Sequence, residues 1–187
     1  MADNNFTEKD LIDVLFDKFL HSTVVKEIIN NVYIFGWESD FFIQRKDGLS
    51  IEFEIKTNRA DFLNDAKKEK RNRILEHGCI IKNGDGEFSP PVVVEKPRPN
   101  QFYYFVPIGL VALVEIPSYA GLMYYSGWTP DCPKIIHVKA APMLHNYAID
   151  LEEIMEKKYF LKWQNEKREA ERLRRVIEKN NELITKQ

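Results

Sequence analysis

Hydrophobic residues alternate with polar ones along residues 51–56, where the sequence reads IEFEIK. Every second position is apolar, and this period of two is typical of a β-strand with one buried face. The remaining positions hold Glu52, Glu54 and Lys56. The pattern therefore predicts a half-buried strand that presents two carboxylates and one ammonium group in a row on its other face.

A second apolar run at 40–45 precedes this strand, and the residues Lys-Asp-Gly at 46–48 separate the two. A three-residue loop with glycine last, in the left-handed conformation, is a common hairpin closure. Counting back from that loop pairs Asp40 with Glu54. A two-residue loop would mix apolar and charged side chains, because a slip of one residue inverts every side chain. The favoured register places Asp40 on the face of Glu54 and Lys56.

Other periodic segments predict the elements around this hairpin. The predicted helices cover 7–21, 24–29, 59–77 and 149–186, and the further predicted strands cover 32–36, 79–81, 102–106, 110–115, 121–125 and 134–139. Thr7 and Asp10 form a capping box for the first helix. A strand-helix-strand unit is parallel whereas a hairpin is antiparallel. We therefore expect an α/β domain at 1–148, with a mixed β-sheet flanked by helices, and a C-terminal helical extension at 149–187.

The C-terminal extension contains neither glycine nor proline between residues 149 and 186, which predicts one long helix. Its first half is apolar enough to dock on the domain. Its second half carries a short heptad-like seam from Ala170 to Ile184. This seam predicts a homodimer or a partner protein bound through the helix, and a solvated helix with internal salt bridges is the alternative.

Membrane and disulfide features are absent from the sequence pattern. No apolar run is long enough to span a membrane, and the N-terminus lacks a basic-then-apolar signal pattern. Cys79 and Cys132 have no zinc-site spacing, and we expect both to be reduced thiols. These features predict a cytoplasmic protein that makes no membrane contact.

Basic residues are concentrated just after the charged strand. The chain has a formal net charge of −2, which is not that of a general nucleic-acid binder, but residues 56–73 hold seven bases and three acids. DNA backbone phosphates would lie against such a segment. The predicted contacts are Arg59, Lys67, Lys68 and Arg71, and a solvated helix face is the alternative.

The paired carboxylates indicate a metal site. Asp40 and Glu54 would have Cβ atoms roughly 5 Å apart, and two ionised carboxylates at that distance repel each other. A divalent cation removes the repulsion, and oxygen ligands suit Mg²⁺ or Mn²⁺. Lys56 would hold an attacking water and stabilise charge on a phosphate. The pattern indicates metal-assisted phosphodiester hydrolysis, and the solvated face of an edge strand is the alternative.

This arrangement resembles the PD-(D/E)XK nuclease superfamily. Asp40 matches the first acid and Glu54-Ile55-Lys56 matches the E-X-K element, while Ser39 stands where the namesake proline would be. The stretch EIKTNRADFLND (54–65) is similar to that of small endonucleases assigned to DNA repair. The segments at 102–107 and 119–125 are similar to those of uncharacterised small proteins of bacteria and their phages.

The resemblance implies a restriction-endonuclease-like fold and a Mg²⁺-dependent DNA endonuclease that acts in repair, recombination or phage DNA processing. It implies that Asp40, Glu54 and the carbonyl of Ile55 bind the metal. Members of the superfamily often add an acid from the first helix. The candidates for a further ligand are Glu8, Asp13, Asp17 and, beside Asp40, Glu38. The alternatives are a non-catalytic nucleic-acid-binding or assembly module on the same fold, and RNA as the substrate.

Overall fold

A mixed β-sheet is the centre of the fold. The computed structural model describes residues 6–77, 98–128, 133–149, 152, 156, 159, 163 and 166–175. Within these ranges six strands form one sheet in chain order: Val25–Tyr33 (β1), Glu38–Arg45 (β2), Ser50–Ile55 (β3), Gln101–Pro107 (β4), Ala120–Trp128 (β5) and Pro133–Lys139 (β6). β3 and β5 pair parallel to β4, and the other pairs are antiparallel. The predicted mixed α/β sheet is confirmed.

Three helices precede or follow the β1-β2-β3 meander in the chain. They are Glu8–Phe19 (α1), Arg59–Asp65 (α2) and Glu69–His77 (α3), with a short 3₁₀ helix at Leu113–Glu115. The Thr7 side chain accepts from the Asp10 amide and the Asp10 carboxylate accepts from the Thr7 amide, so the capping box is confirmed. No helix in the described ranges has the length and apolarity needed to cross a membrane.

The hairpin of β2 and β3 has the predicted register. Phe41 pairs with Phe53 and Ile43 with Ile51. Continuing this ladder by one residue places Asp40 opposite Glu54. Gly48 ends the loop with a φ of +82°, in the left-handed region that favours glycine.

The sheet is covered on both faces, which the alternation in β3 did not predict. Aromatic and aliphatic side chains of the hairpin pack against α1 on one face, and side chains of α2, α3, β4 and β5 form a second apolar cluster. Glu52, Glu54 and Lys56 are consequently no more than 5% exposed. The predicted strand is confirmed as β3 but its predicted half-burial is wrong, because β3 lies in the middle of the sheet and its charged face is enclosed by protein.

In the segment 24–29, predicted as a short helix, residues 25–29 belong to strand β1, and β1 ends before most of the predicted strand at 32–36. The ladder with β2 shifts register between Val25 and Glu27, and Asn31 has a φ of +48°. This irregularity lets Val25 and Ile28 pack in the same cluster although they are three residues apart. A helix-like spacing in the sequence thus comes from a bulged strand.

Two other elements differ from the prediction. The helix at 59–77 is interrupted, because the Lys67 and Lys68 amides donate to the carbonyls of Asn64 and Asp65 in tight turns before α3 begins. The segment 110–115 is not a strand. Its 3₁₀ turn is held by Glu115, which accepts from the Ala112 amide.

Some predicted features fall on residues outside the described ranges. They are the strand at 79–81, both cysteines and most of the docking half of the C-terminal helix. The chain divides into two units, Met1–Ile149 and Asp150–Gln187. In the second unit residues 166–175 are helical and exposed. Pairing through this helix stays a prediction.

Candidate active site

A cleft of about 580 Å³ opens where the charged face of the hairpin meets the α2-α3 turn. The turn between β1 and β2 forms one part of its wall, the carboxyl end of β3 another, and the start of α3 a third. The residues that line it are Phe35, Gly36, Trp37, Glu38, Asp40, Glu54, Lys56, Lys67, Lys68, Glu69, Arg71 and Ile74. Asp40, Glu54 and Lys56, the triad that the sequence predicts, are all among them.

Lys56 lies between the two carboxylates of the triad. Its Nζ is 2.8 Å from Glu54 Oε1 and 4.0 Å from Asp40 Oδ2. It is also 3.5 Å from Asp61 Oδ2 and 3.8 Å from Asp65 Oδ1. Burial lowers the pKa of the lysine, but the surrounding acids, Glu54 first, outweigh this and raise it above its usual value. Lys56 is therefore a charged donor at the cleft wall.

Asp40 is the triad carboxyl whose charge is least well compensated. Its Oδ2 accepts from the Ile55 amide at 2.7 Å. Burial and then the negative charge of Glu54 raise its pKa to about 7, against the opposing effect of Lys56. The ionised form of Asp40 is thus disfavoured in the folded protein. A bound cation would favour the ionised form of such a group.

Glu54 is surrounded by cations and is ionised. Besides Lys56, Lys68 Nζ is 3.0 Å from Glu54 Oε1, and Arg71 Nη1 is 2.8 Å from Glu54 Oε2. Burial raises the pKa of this carboxyl, but the positive charges, Arg71 first, outweigh burial and lower the pKa to about 2. The pKa values of the two aligned acids are therefore shifted in opposite directions, and Glu54 is the ionised member of the pair.

Asp65 and Arg71 complete this network, and sequence reasoning missed their roles. Asp65, at the end of α2, places Oδ2 2.8 Å from Arg71 Nη2 and Oδ1 2.9 Å from Lys68 Nζ. Arg71 was predicted to contact DNA phosphates, but its side chain is only 4% exposed and its guanidinium bridges Asp65 and Glu54. Arg71 is thus held by two buried carboxylates, and its predicted contact with DNA stays a prediction. The break between α2 and α3, which brings these groups together, carries no glycine or proline signal.

The other predicted DNA contacts differ in their surroundings. Lys67 is exposed at the cleft and donates to Asn64 Oδ1 at 2.9 Å. The Lys68 side chain is 48% exposed, although its ammonium pairs with the site acids. Arg59 pairs with Glu115 and does not line the cleft. Lys67 and Lys68 therefore remain the lysines of this set that face the cleft.

Glu52 lies on the charged face of β3, and the sequence pattern indicates no role for it. It is fully buried, and its Oε1 accepts from the indole Nε1 of Trp37 at 2.7 Å. Burial, which the hydrogen bond only partly offsets, raises the pKa of Glu52 to about 8. At neutral pH Glu52 is thus mainly protonated and anchors the turn that carries Trp37.

Among the candidates for a further acidic ligand, the structure separates Glu8 and Glu38 from the rest. Glu38 lines the cleft beside Asp40. The charge of Glu8, at the start of α1, contributes to the raised pKa of Asp40. Asp13 and Asp17 are exposed further along the same helix and do not line the cleft.

The residues of the cleft fit a divalent cation in part. Two carboxylates, those of Asp40 and Glu54, are aligned across the hairpin, and burial together with the charge of Glu54 raises the pKa of Asp40. Within the described ranges, however, no cluster of three or more His, Cys, Asp or Glu side chains is arranged to hold a metal ion. Other ligands to such an ion would have to be backbone, water or substrate oxygens, as Mg²⁺ commonly takes.

Comparisons with known proteins leave the family open. No protein-family description matches this chain, and no curated protein matches it. One solved structure is similar, the SPO1766 protein of unknown function from Silicibacter pomeroyi, with a TM-score of 0.49 and 13% sequence identity. The similarity covers 86% of this chain and 90% of that chain. A likeness this weak carries no argument for function.

Proposed function

We propose that the protein is a Mg²⁺- or Mn²⁺-dependent endonuclease that hydrolyses DNA phosphodiester bonds. One observation carries the proposal. Asp40 and Glu54 are aligned across a hairpin at the wall of a cleft, with the Lys56 ammonium 2.8 Å from one and 4.0 Å from the other. Two acids and a lysine in this arrangement match the metal-binding acids and the water-positioning lysine of the nuclease superfamily that the sequence resembles.

The metal would be held by the carboxylates of Asp40 and Glu54, with the carbonyl of Ile55 as the third protein ligand. When bound, the cation supplies a Lewis acid for the phosphate and lowers the pKa of water. Asp40 supports this role because burial and then the charge of Glu54 raise its pKa, and a bound cation would oppose both effects by favouring the ionised form. Arg71, which also pairs with Asp65, holds the Glu54 carboxylate in position.

Lys56 would act on the substrate rather than on the metal. Its ammonium is charged, enclosed and directed to the acid pair, so it can donate hydrogen bonds to a water or to a phosphate oxygen at that point. Lys67 and Lys68 also line the cleft, and their positive charges would contact the phosphate backbone of the substrate. A cytoplasmic location is part of this proposal. It agrees with the expectation that Cys79 and Cys132 are reduced thiols, because disulfides are rare in that compartment.

A second candidate function is a non-catalytic nucleic-acid-binding or assembly module. The observation that favours it is the internal neutralisation of Glu54 and Asp65 by three cations, Lys56, Lys68 and Arg71. A metal would have to compete with these salt bridges. Calorimetric titration with Mn²⁺ separates the two functions, because the enzyme binds the ion at the acid pair and the module does not.

The direct test is cleavage of a panel of end-labelled DNAs and one RNA, each with Mg²⁺, with Mn²⁺ or with EDTA. The DNAs are single-stranded, duplex, nicked, flapped and branched. We expect cleavage that requires the cation and is lost in Lys56→Met. Lys46→Met, at an exposed position of the hairpin loop, is the matched control. Absence of cleavage across the panel, or cleavage retained in EDTA, would contradict the proposal.

A further inference from the structure

The aromatic part of the cleft is formed by the turn between β1 and β2. Trp37 lies in this turn, is half-buried, and lines the cleft beside Phe35. The two ring centroids are 5.6 Å apart with an interplanar angle of 47°. Trp37 also packs against the apolar cluster beneath α2 and α3. Trp37 is thus held by protein contacts and also contributes to the wall of the cleft.

A hydrogen bond fixes the orientation of this ring. The indole Nε1 of Trp37 donates to Glu52 Oε1 at 2.7 Å, and Glu52 lies on the central strand of the sheet. A side chain held in this way loses little conformational entropy when a ligand stacks on it. The Trp37 ring is therefore preorganised as a platform.

Positive charge lines the same cleft. Lys67 and Lys68 lie in the turn between α2 and α3 and are exposed, and the Lys68 ammonium also pairs with Glu54 and Asp65. An aromatic platform combined with cations that follow a phosphate backbone is the general arrangement for binding unpaired nucleotides. In a duplex the neighbouring base pairs already cover both faces of a base, so a fixed tryptophan ring can stack only on a base that has left the stack.

We propose that the cleft binds a nucleotide of a single-stranded or unpaired DNA segment, with its base stacked on Trp37 and its adjoining phosphates near Lys67 and Lys68. This inference rests on the proposed function for the nucleic-acid nature of the ligand. It adds the class of substrate: strands with unpaired bases, such as flaps, gaps and frayed ends, are preferred over continuous duplex.

Binding is measured in EDTA, so that the result does not depend on cleavage. The probe is a fluorescein-labelled oligothymidylate, followed by anisotropy, and the second arm is a labelled blunt-ended duplex that carries the same number of phosphates. Unlabelled oligothymidylate is titrated in parallel while tryptophan emission is recorded. We expect tighter binding of the single strand than of the duplex, with quenching of tryptophan emission as the complex forms. A competition arm with thymidine monophosphate shows whether a free nucleotide alone occupies the cleft, and we expect it to compete only weakly.

The decisive variants are Trp37→Leu and Trp37→Phe. Trp37→Leu should weaken binding of the single strand about tenfold or more, since stacking of one base contributes about that much on alanine substitution. Trp37→Phe keeps a smaller ring, so its affinity should be intermediate. This variant tests the inference independently if Trp37→Leu fails to fold. Trp163→Phe is the matched control, because Trp163 lies on the second unit and is 57% exposed.

Equal affinity for duplex and single strand, no binding of either, or Trp37 variants that bind like the wild type would overturn the inference. Failure of the proposed nuclease function has a different outcome. In that case Trp37-dependent binding is observed in EDTA and no cleavage follows when Mg²⁺ is added.

Discussion

Arg71 Nη1 lies 2.8 Å from Glu54 Oε2, and both side chains are buried. The other terminal nitrogen of the same guanidinium is 2.8 Å from Asp65 Oδ2. Arg71 therefore joins α3 to the central strand and to the end of α2 through a planar fork that matches two carboxylates. This pair fixes the Glu54 carboxylate at the cleft wall, so the stability of the fold and the geometry of the site depend on the same residue.

Replacing Arg71 should destabilise the protein strongly. Arg71→Ala leaves Glu54 and Asp65 buried with fewer cations, and breaking a buried pair in this way costs about 3–5 kcal/mol. The free energy of unfolding, measured by urea titration followed by circular dichroism, tests this. Arg73→Ala is the matched control on the exposed side of α3, where we expect a change within about 0.5 kcal/mol. Similar values for the two variants would mean that the Arg71 network does not stabilise the fold.

The stability of the protein should depend on pH through Glu52. The ordinary pKa of this carboxyl is 4.5, and burial raises it to about 8 in the folded protein. The folded state then binds more protons than the unfolded state between these values, so the contribution is complete below about pH 4.5 and is lost as pH rises to about 8. Glu52→Gln keeps an acceptor for Trp37 and cannot titrate. The loss of unfolding free energy from pH 5 to pH 9 should be smaller in this variant than in the wild type, and equal losses would contradict the assignment.

Lys56→Ala should separate turnover from metal binding. An ammonium is not a metal ligand, and Lys56 lies between the two acids, so its removal should leave Mn²⁺ affinity unchanged or improved. Turnover should fall by about 10²-fold or more, the range for loss of a positioned proton donor or acceptor. Calorimetry and initial cleavage rates measure the two effects. Loss of Mn²⁺ affinity with turnover preserved would contradict the role proposed for this lysine.

Lys67→Ala should change the salt dependence of DNA binding. Lys67 is exposed at the cleft and pairs with the neutral Asn64, so a phosphate can replace that partner. Removal of one lysine that binds a phosphate should reduce the slope of log affinity against log salt by about 0.7 for a single strand. Anisotropy titrations at several salt concentrations give this slope. Lys26→Ala, on the edge strand β1, should leave it unchanged, and a wild-type slope in Lys67→Ala would remove this lysine from the interface.

The hairpin could be predicted from the sequence because its determinants are local. The position of Gly48 sets the loop, and the alternation along β3 sets the faces, so the opposition of Asp40 and Glu54 follows by counting. The capping box of α1 is local in the same sense. Each of these depends on residues within a few positions of one another.

The surroundings of the hairpin could not be predicted in this way. The burial of Glu52 and Glu54 depends on packing contacts with Trp37 and Arg71, which the alternation along β3 does not encode. Arg71 was assigned to DNA because a basic helix face resembles a phosphate-binding surface, and the buried carboxylates that receive it become visible only when the chain is folded. The sequence of strand β1 has the apolar spacing of a helix, because the irregularity in the strand changes which residues face the core.

The central claim is that Asp40 and Glu54 bind a catalytic cation, and Asp40→Asn tests it most directly. The ionised form of Asp40 is disfavoured in the folded protein, so the neutral amide should leave stability unchanged or raise it slightly. Cleavage with Mg²⁺ and calorimetric Mn²⁺ affinity are measured on one preparation, with Glu27→Gln on β1 as the exposed control. We predict that Asp40→Asn is folded, has lost cleavage and binds Mn²⁺ at least about tenfold more weakly, in line with loss of one carboxylate ligand. Wild-type cleavage together with wild-type Mn²⁺ affinity in this variant would contradict the assignment of the metal site.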